Sequence, residues 1–301
     1  MTFCLDGSNL IYISQHRIKH DEGFSWNSLV RSFITSFFTL VENRRFCKII
    51  VLFDQKGSVS EFRKKIFADY KSKRHTQETE AESKAHKMAI AFLATHLPSL
   101  GFSVVIKPGL EADDTAFSIT HKFSCGSGVL VSSDGDWKLN LVPKWSLYQL
   151  RQDKIVTYED MCKDFGEKPI INFLFFKALK GDSGDCVPGV RFIGEKKALA
   201  LIRGIAEGRT VLDFPFAQRI LDEFDIVSRN MVLLSPFWIL EHRKTMEYIE
   251  MAINNVTIPK NPSEAFFELC DELDDDILRN YWSVYVELIE RMYKGRGICN
   301  G

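Results

Sequence analysis

The alternation of apolar and polar positions divides the chain into two parts. In the first part, short apolar or β-branched runs are separated by helical patterns. FCLD (3–6), CKIIVLFD (47–54), FSVVIK (102–107), GVLVSSD (128–134) and WSLYQL (145–150) predict buried strands. Between them lie segments with apolar residues at helical spacing, such as WNSLVRSFITSFFTLVENR (26–44), which predicts a helix. Strands separated by helix-length segments imply βαβ units and a mostly parallel sheet. From about residue 157 onward the pattern is helical almost throughout. The expected fold class is α/β, with a core over 1–156 and a helical region over 157–301 packed onto it.

Composition narrows the class without naming a function. A chain of 301 residues, 45% hydrophobic and 26% charged, is ordinary for a globular protein with a substantial core. The most apolar stretch, IINFLFFKALKG, is too short to span a membrane and contains Lys177. The first residues, MTFCLDGSNL, lack the basic region and long apolar run of a secretory signal, so a cytoplasmic location is expected. Seven cysteines are scattered along the chain with no CxxC pair, which reads as free thiols in a reducing compartment. The net charge of −1 does not advertise a nucleic-acid partner, but local charge sets a binding field.

Acidic residues carry the chemistry. Asp6 ends the first predicted strand and Asp54 the second. EADD (Glu111, Asp113, Asp114) follows the third, and SSDGD (Asp134, Asp136) closes the fourth. In open parallel sheets the carboxyl ends of the strands gather at one edge, where ligands bind. Asp182 and Asp185 would complete the ring from the helical region. An aspartate at a strand end also serves as a turn former or helix cap, and EADD at a helix start complements the helix dipole. Acids converging on one rim from so many segments require cations to neutralise them. Oxygen-only donors favour Mg²⁺ or Mn²⁺, and two ions about 4 Å apart suit phosphodiester hydrolysis.

Two further segments complement the acids. FRKKIFADYKSKRH (62–75) holds six Lys or Arg against one Asp; a charge run of this kind is often only a solvated helix face, but this one directly follows an acid-bearing strand end. Tyr70 beside Lys71 offers an aromatic face for stacking on a base. In GDSGDCVPGVRFIGEKKALALI (181–202), Gly189 and Gly194 bracket a turn that opens a helix bearing Lys196 and Lys197. A helix start of this kind binds phosphate without reading sequence, though it also occurs in helix pairs that merely pack.

The ordered series LDGSNL, LFDQKG, DYKSKR, EADD, SSDGDW and GDSGDCVPGVRFIG resembles the flap endonuclease and 5′→3′ exonuclease family, closest to the stand-alone bacteriophage enzymes and related to the 5′ nuclease domain of bacterial DNA polymerase I. The resemblance covers about residues 3–205. It implies an α/β/α nuclease core with a helical arch at about 62–96 and a helix–three-turn–helix element at about 178–205. It implies metal ligation by Asp6, Asp54, Glu111, Asp113 and Asp114 at one ion and by Asp134, Asp136, Asp182 and Asp185 at a second. Lys71 and Arg74 match arch residues near the scissile phosphate, with Tyr70 as a stacking partner. Residues 189–197, including Gly189, Val190, Ile193, Gly194, Lys196 and Lys197, match the element that holds the duplex backbone, where a K⁺ ion is bound through turn carbonyls.

The implied function is structure-specific hydrolysis of branched or nicked DNA in replication or repair, by a monomer in a bacterium or phage-infected host cell. The implied partners are DNA with a 5′ flap, nick or single-stranded 5′ end, and an RNA–DNA hybrid. The alternatives are an RNA-primer-removing or PIN-type ribonuclease, a non-catalytic DNA-structure-binding relative, and, more remotely, a metal-dependent phosphatase or transferase built around DGD. This chain departs from the family pattern at Phe192, where glycine is common, at Cys186, where asparagine is common, and at Ile13, where an arginine is common. Arg17 is the nearby candidate to replace that arginine.

Overall fold

The computed structural model describes residues 1–18, 24–42, 44–55, 60–72, 78–123 and 126–296. Six strands form the central sheet: β1 (Thr2–Asp6), β2 (Lys48–Asp54), β3 (Ser103–Lys107), β4 (Gly128–Val131), β5 (Trp145–Gln149) and β6 (Lys154–Thr157). Their order is β3-β2-β1-β4-β5-β6, parallel from β3 to β5 and antiparallel at β6. All five predicted strands form, although β4 stops at Val131, so that SSD belongs to the loop beyond it. Sequence reasoning missed β6. It is four residues long, begins with Lys154 and exposes Ile155, so it carries the weak pattern of a sheet edge.

The strands are apolar on both faces because helices cover both. Phe3, Leu5, Ile49, Val51 and Phe53 face one core, completed by helices α1 (Gly7–Ile18), α2 (Trp26–Val41) and, after the short α3 (Glu61–Ile66), α4 (Glu80–His96). A capping box between Thr79 and Glu82 starts α4, as the ETEAES pattern suggests. Cys4, Ile50, Leu52, Val105, Leu130 and Leu147 face the opposite core. Helices α5 (Ala112–Ser118), α6 (Tyr158–Phe165), α7 (Pro169–Lys180) and α8 (Glu195–Ala206) build that side, followed by α9 (Ala217–Asp222), α10 (Phe224–Leu233), α11 (Trp238–Glu241) and α12 (Arg243–Asn254).

Sequence after 157 returns to the sheet on both faces. The Ser103 hydroxyl in β3 donates to the Ile253 carbonyl at 3.0 Å, tying down the end of α12. Helices α13 (Pro262–Leu273), α14 (Asp276–Arg279) and α15 (Trp282–Arg296) close the first core, where Phe38 of α2 meets Phe266 and Tyr285 edge-on. None of the described helices is long and apolar enough to cross a membrane.

Between α7 and α8 the chain makes a small antiparallel hairpin, β7 (Gly181–Asp182) against β8 (Val187–Pro188). Its glycines have a steric cause. A Cβ on Gly181, where φ is +75°, would lie 2.3 Å from the Gly189 nitrogen, and one on Gly189 would lie 2.3 Å from the Lys180 carbonyl. From α10, the Asn230 side-chain amide donates to the carbonyls of Ala178 and Pro188 at 2.9 and 2.8 Å, clamping hairpin and helix together.

Candidate functional site

The acids meet because β3, β2, β1 and β4 are neighbours that run the same way. The carboxylate of Asp6 accepts from the Asn9 amide at 2.9 Å and from the Ser132 hydroxyl at 2.7 Å, joining the ends of β1 and β4. The Ser132 hydroxyl in turn accepts from the Asp134 amide at 3.0 Å. Asp54 accepts from the Ala112 amide at 2.8 Å, so the end of β2 fixes the first turn of α5. That turn presents Glu111, Asp113 and Asp114, with one oxygen of each within 4.8 Å of the others. Asp134 caps the next short helix, accepting from the Asp136 amide at 2.9 Å.

Beneath these acids lie two basic groups and a phenol. Lys71 donates to Glu111 Oε2 at 2.6 Å, and its ammonium is 3.9 Å from Asp185. Tyr70 donates towards Glu111 at 3.1 Å and Asp185 at 3.2 Å. The Lys71 amide also donates to the Asp185 carbonyl at 2.9 Å, so the residues leading into the basic segment are anchored to the hairpin. Arg63 forms a two-pronged bond to Asp114 and also reaches Glu111 at 2.8 Å. On the other side, Lys177 lies between Asp136 and Asp182, donating to Asp182 at 3.1 Å and pairing closely with Asp136.

Crowding of like charge sets the electrostatics. Burial raises Asp6 well above the usual carboxylate range, and the neighbouring Asp54 and Asp134 push it further. Burial also raises Asp54, which Lys71 opposes and Glu111 and Asp113 reinforce. Asp136 is pushed up to about 6, chiefly by burial, against the pull of Lys177. For Asp182, burial is outweighed by Lys177 and by the amides of Asp185 and Gly184, and its carboxyl lies below the ordinary value. Lys177 is only 4% exposed, yet the adjoining carboxylates overcome its burial and hold its proton tightly. An oxygen-only donor set whose members raise one another suits hard divalent cations, and the two lysine ammoniums stand where positive charge is wanted.

One expectation needs correction. Tyr70 is 2% exposed and packs within the core, so it has no free face for a base; it instead positions two acids through its hydroxyl. Asp114 has both oxygens engaged by Arg63 and a third donor in the Trp238 indole at 3.3 Å, while one of its oxygens also groups with those of Glu111 and Asp113. Arg17 donates to Ser36 on α2 at 3.3 Å. Arg74, the second expected arch cation, lies outside the described residues. Within 62–96, α3 is held to the site by Arg63, and the buried face of α4 packs on the α2 side of the sheet.

The turn at residues 189–197 rests on buried apolar residues. Val190 and Ile193 point into the core, and their amides donate to Leu179 and Val190 carbonyls at 2.8 and 3.1 Å. Being apolar, they anchor the turn and leave its outer surface to others. Gly194 faces open space, while Lys196 and Lys197 are exposed. Lys197 turns back to donate to the Phe192 carbonyl at 3.0 Å. Phe192 adopts φ of +62°, a conformation that costs a side-chain-bearing residue about 1–2 kcal/mol.

Sequence reasoning assigned no role to Lys177 or Arg63. The signal for Lys177 was its position in the most apolar helix, five residues before Asp182, since a lysine buried there needs an acidic partner.

Comparison with known proteins agrees with this geometry. Residues 1–166 match the family model of the 5′-3′ exonuclease N-terminal resolvase-like domain. The chain is 30% identical over 217 residues to a 5′-3′ exonuclease of Aquifex aeolicus, covering 70% of this chain and 71% of the relative. It is 28% identical over 246 residues to the flap endonuclease of Escherichia phage T5, covering 76% and 81%. A solved structure of the T5 5′-exonuclease with divalent zinc ions bound superposes with a TM-score of 0.60 at 22% identity, covering 97% of this chain and all of that one (100%).

Proposed function

The chain belongs to the 5′-3′ exonuclease family, and from that membership we propose that it is a structure-specific 5′ nuclease with both flap-endonuclease and 5′→3′ exonuclease activity on branched or nicked duplex DNA in replication or repair. The observation that carries this reading is the convergence of acids from four adjacent strand ends with Asp182 and Asp185 of the hairpin on one rim. A non-catalytic relative would be free to lose acids, and all nine expected positions are filled.

Asp6, Asp54, Glu111 and Asp113 would hold one Mg²⁺ ion, with Asp114 supporting them, and Asp134, Asp136, Asp182 and Asp185 would hold a second. Mn²⁺ would substitute for either. When bound, the ions supply charge neutralisation and an acidified water for phosphodiester hydrolysis. Tyr70 and Arg63 fix the carboxylates so that the donor set is preorganised. Lys71 brings an ammonium to the same floor, where it stabilises charge growing on the phosphate; Arg74 would add to it. The duplex backbone docks on the exposed start of α8, with Lys196 as the free cation. A K⁺ ion at the turn carbonyls would compete with the Lys197 ammonium, which already engages Phe192.

The test is hydrolysis of a 5′-flap DNA in Mg²⁺ and in EDTA, with product ends mapped. Cleavage is expected only with the metal, near the junction. Metal-independent cleavage, or full activity in the Asp134→Ala, Asp136→Ala double variant, would overturn the reading.

A further inference from the structure

Phe192 is 75% exposed at the tip of the docking turn and holds a left-handed backbone, two liabilities that a glycine would remove together. Packing does not require the ring, because Val190 and Ile193 on either side already fill the core. Arg219 of α9 carries its guanidinium 4.9 Å from the ring centroid, against its face. Arg191 and Lys196 are exposed beside it, Arg191 being partly balanced by Glu223 at 3.5 Å. The tip therefore presents one apolar disc with Arg219 against it and further cations on the same turn, alongside the Glu195 and Glu223 carboxylates, a surface able to meet the sugar faces of a polyanionic backbone.

We propose that Phe192, with Arg219 against it, is a specificity element that packs on a deoxyribose of the duplex arm while Arg219 meets the adjoining phosphate. This rests on the nuclease reading above and deepens it: the pair selects substrates that carry a duplex on the docking side. Phe192 stands two residues ahead of Gly194, the cap of α8, on the same turn as the proposed phosphate contact. The Lys197 bond to the Phe192 carbonyl keeps the strained residue in place with its ring outward.

The experiment compares wild type, Phe192→Gly and Phe192→Tyr for KM and kcat on 5′-flap DNA in Mg²⁺, together with Tm. Phe192→Gly should raise KM about five- to tenfold, a typical loss for one stacking contact, with a smaller change in kcat. It should also raise Tm, since glycine adopts the positive φ without strain. Phe192→Tyr should restore KM to within about twofold of wild type. A KM unmoved in Phe192→Gly overturns the proposal, as does a lowered Tm with kcat falling and KM constant, which marks a structural residue. If wild type fails to cleave the flap, the nuclease reading fails and this inference with it; cleavage by wild type with an unmoved KM sinks the inference alone.

Discussion

Arg63 and Asp114 are joined by two parallel hydrogen bonds of 2.8 and 2.7 Å, both side chains being withdrawn from solvent. The bond ties α3 to the first turn of α5 and engages both oxygens of the third acid of EADD. Removing one partner strands the other charge in the interior. Arg63→Met should therefore lower stability by about 3–5 kcal/mol, measured by urea denaturation. A loss under 1 kcal/mol would show that the pair is dispensable.

Tyr70 provides a sharper test, because stacking and hydrogen bonding predict different outcomes. Tyr70→Phe keeps the ring and deletes the donor shared by Glu111 and Asp185. If Glu111 and Asp185 hold metal as proposed, activity should fall by about 10–100-fold, as is usual when the partner of a metal-ligating group is lost. Unchanged activity would show that the hydroxyl does not position the two acids.

Lys177 neutralises Asp136 and Asp182 without an ion. Lys177→Met should lower the Tm of EDTA-treated protein and raise Asp136 further above its present value of about 6. Added Mg²⁺ should then give a larger gain in Tm than in wild type, as read by differential scanning calorimetry. An equal gain would separate Lys177 from any ion held by Asp136 and Asp182.

The same acids fix a pH dependence. Asp6, Asp54 and Asp136 are all raised, so the folded protein binds protons that the unfolded chain has released. Their contribution to metal-free stability is full below the ordinary carboxylate range. It is lost as pH rises through the folded values, about 6 for Asp136. Metal competes with those protons, so the Tm gain from Mg²⁺ should be small at pH 5 and large at pH 8. A gain independent of pH would refute this linkage.

How much was legible follows from what each residue faces. Asp6 and Asp54 could be read because each ends an apolar run, and parallel pairing alone brings such ends together. Lys177 could be seen as a charge out of place, but its partners lie on two segments whose approach depends on α7 and the hairpin. Tyr70 misled because its sequence neighbours are basic and exposed in pattern, whereas its own ring turns inward beneath Glu111. Phe192 was visible only as a departure; its exposure and backbone come from the turn around it.

The crossing of Gly181 and Gly189 links chemistry to measurement. Asp182 belongs to one strand of the hairpin, and the chain leaving the other strand becomes the turn at 189–197, with no room at the crossing for even one methyl group. Under the proposed function, this rigid joint sets a step length counted in nucleotides. The enzyme should release products of nearly uniform size. Gly189→Ala would loosen the joint and spread that size distribution, so that a sequencing gel would register a displacement of backbone atoms.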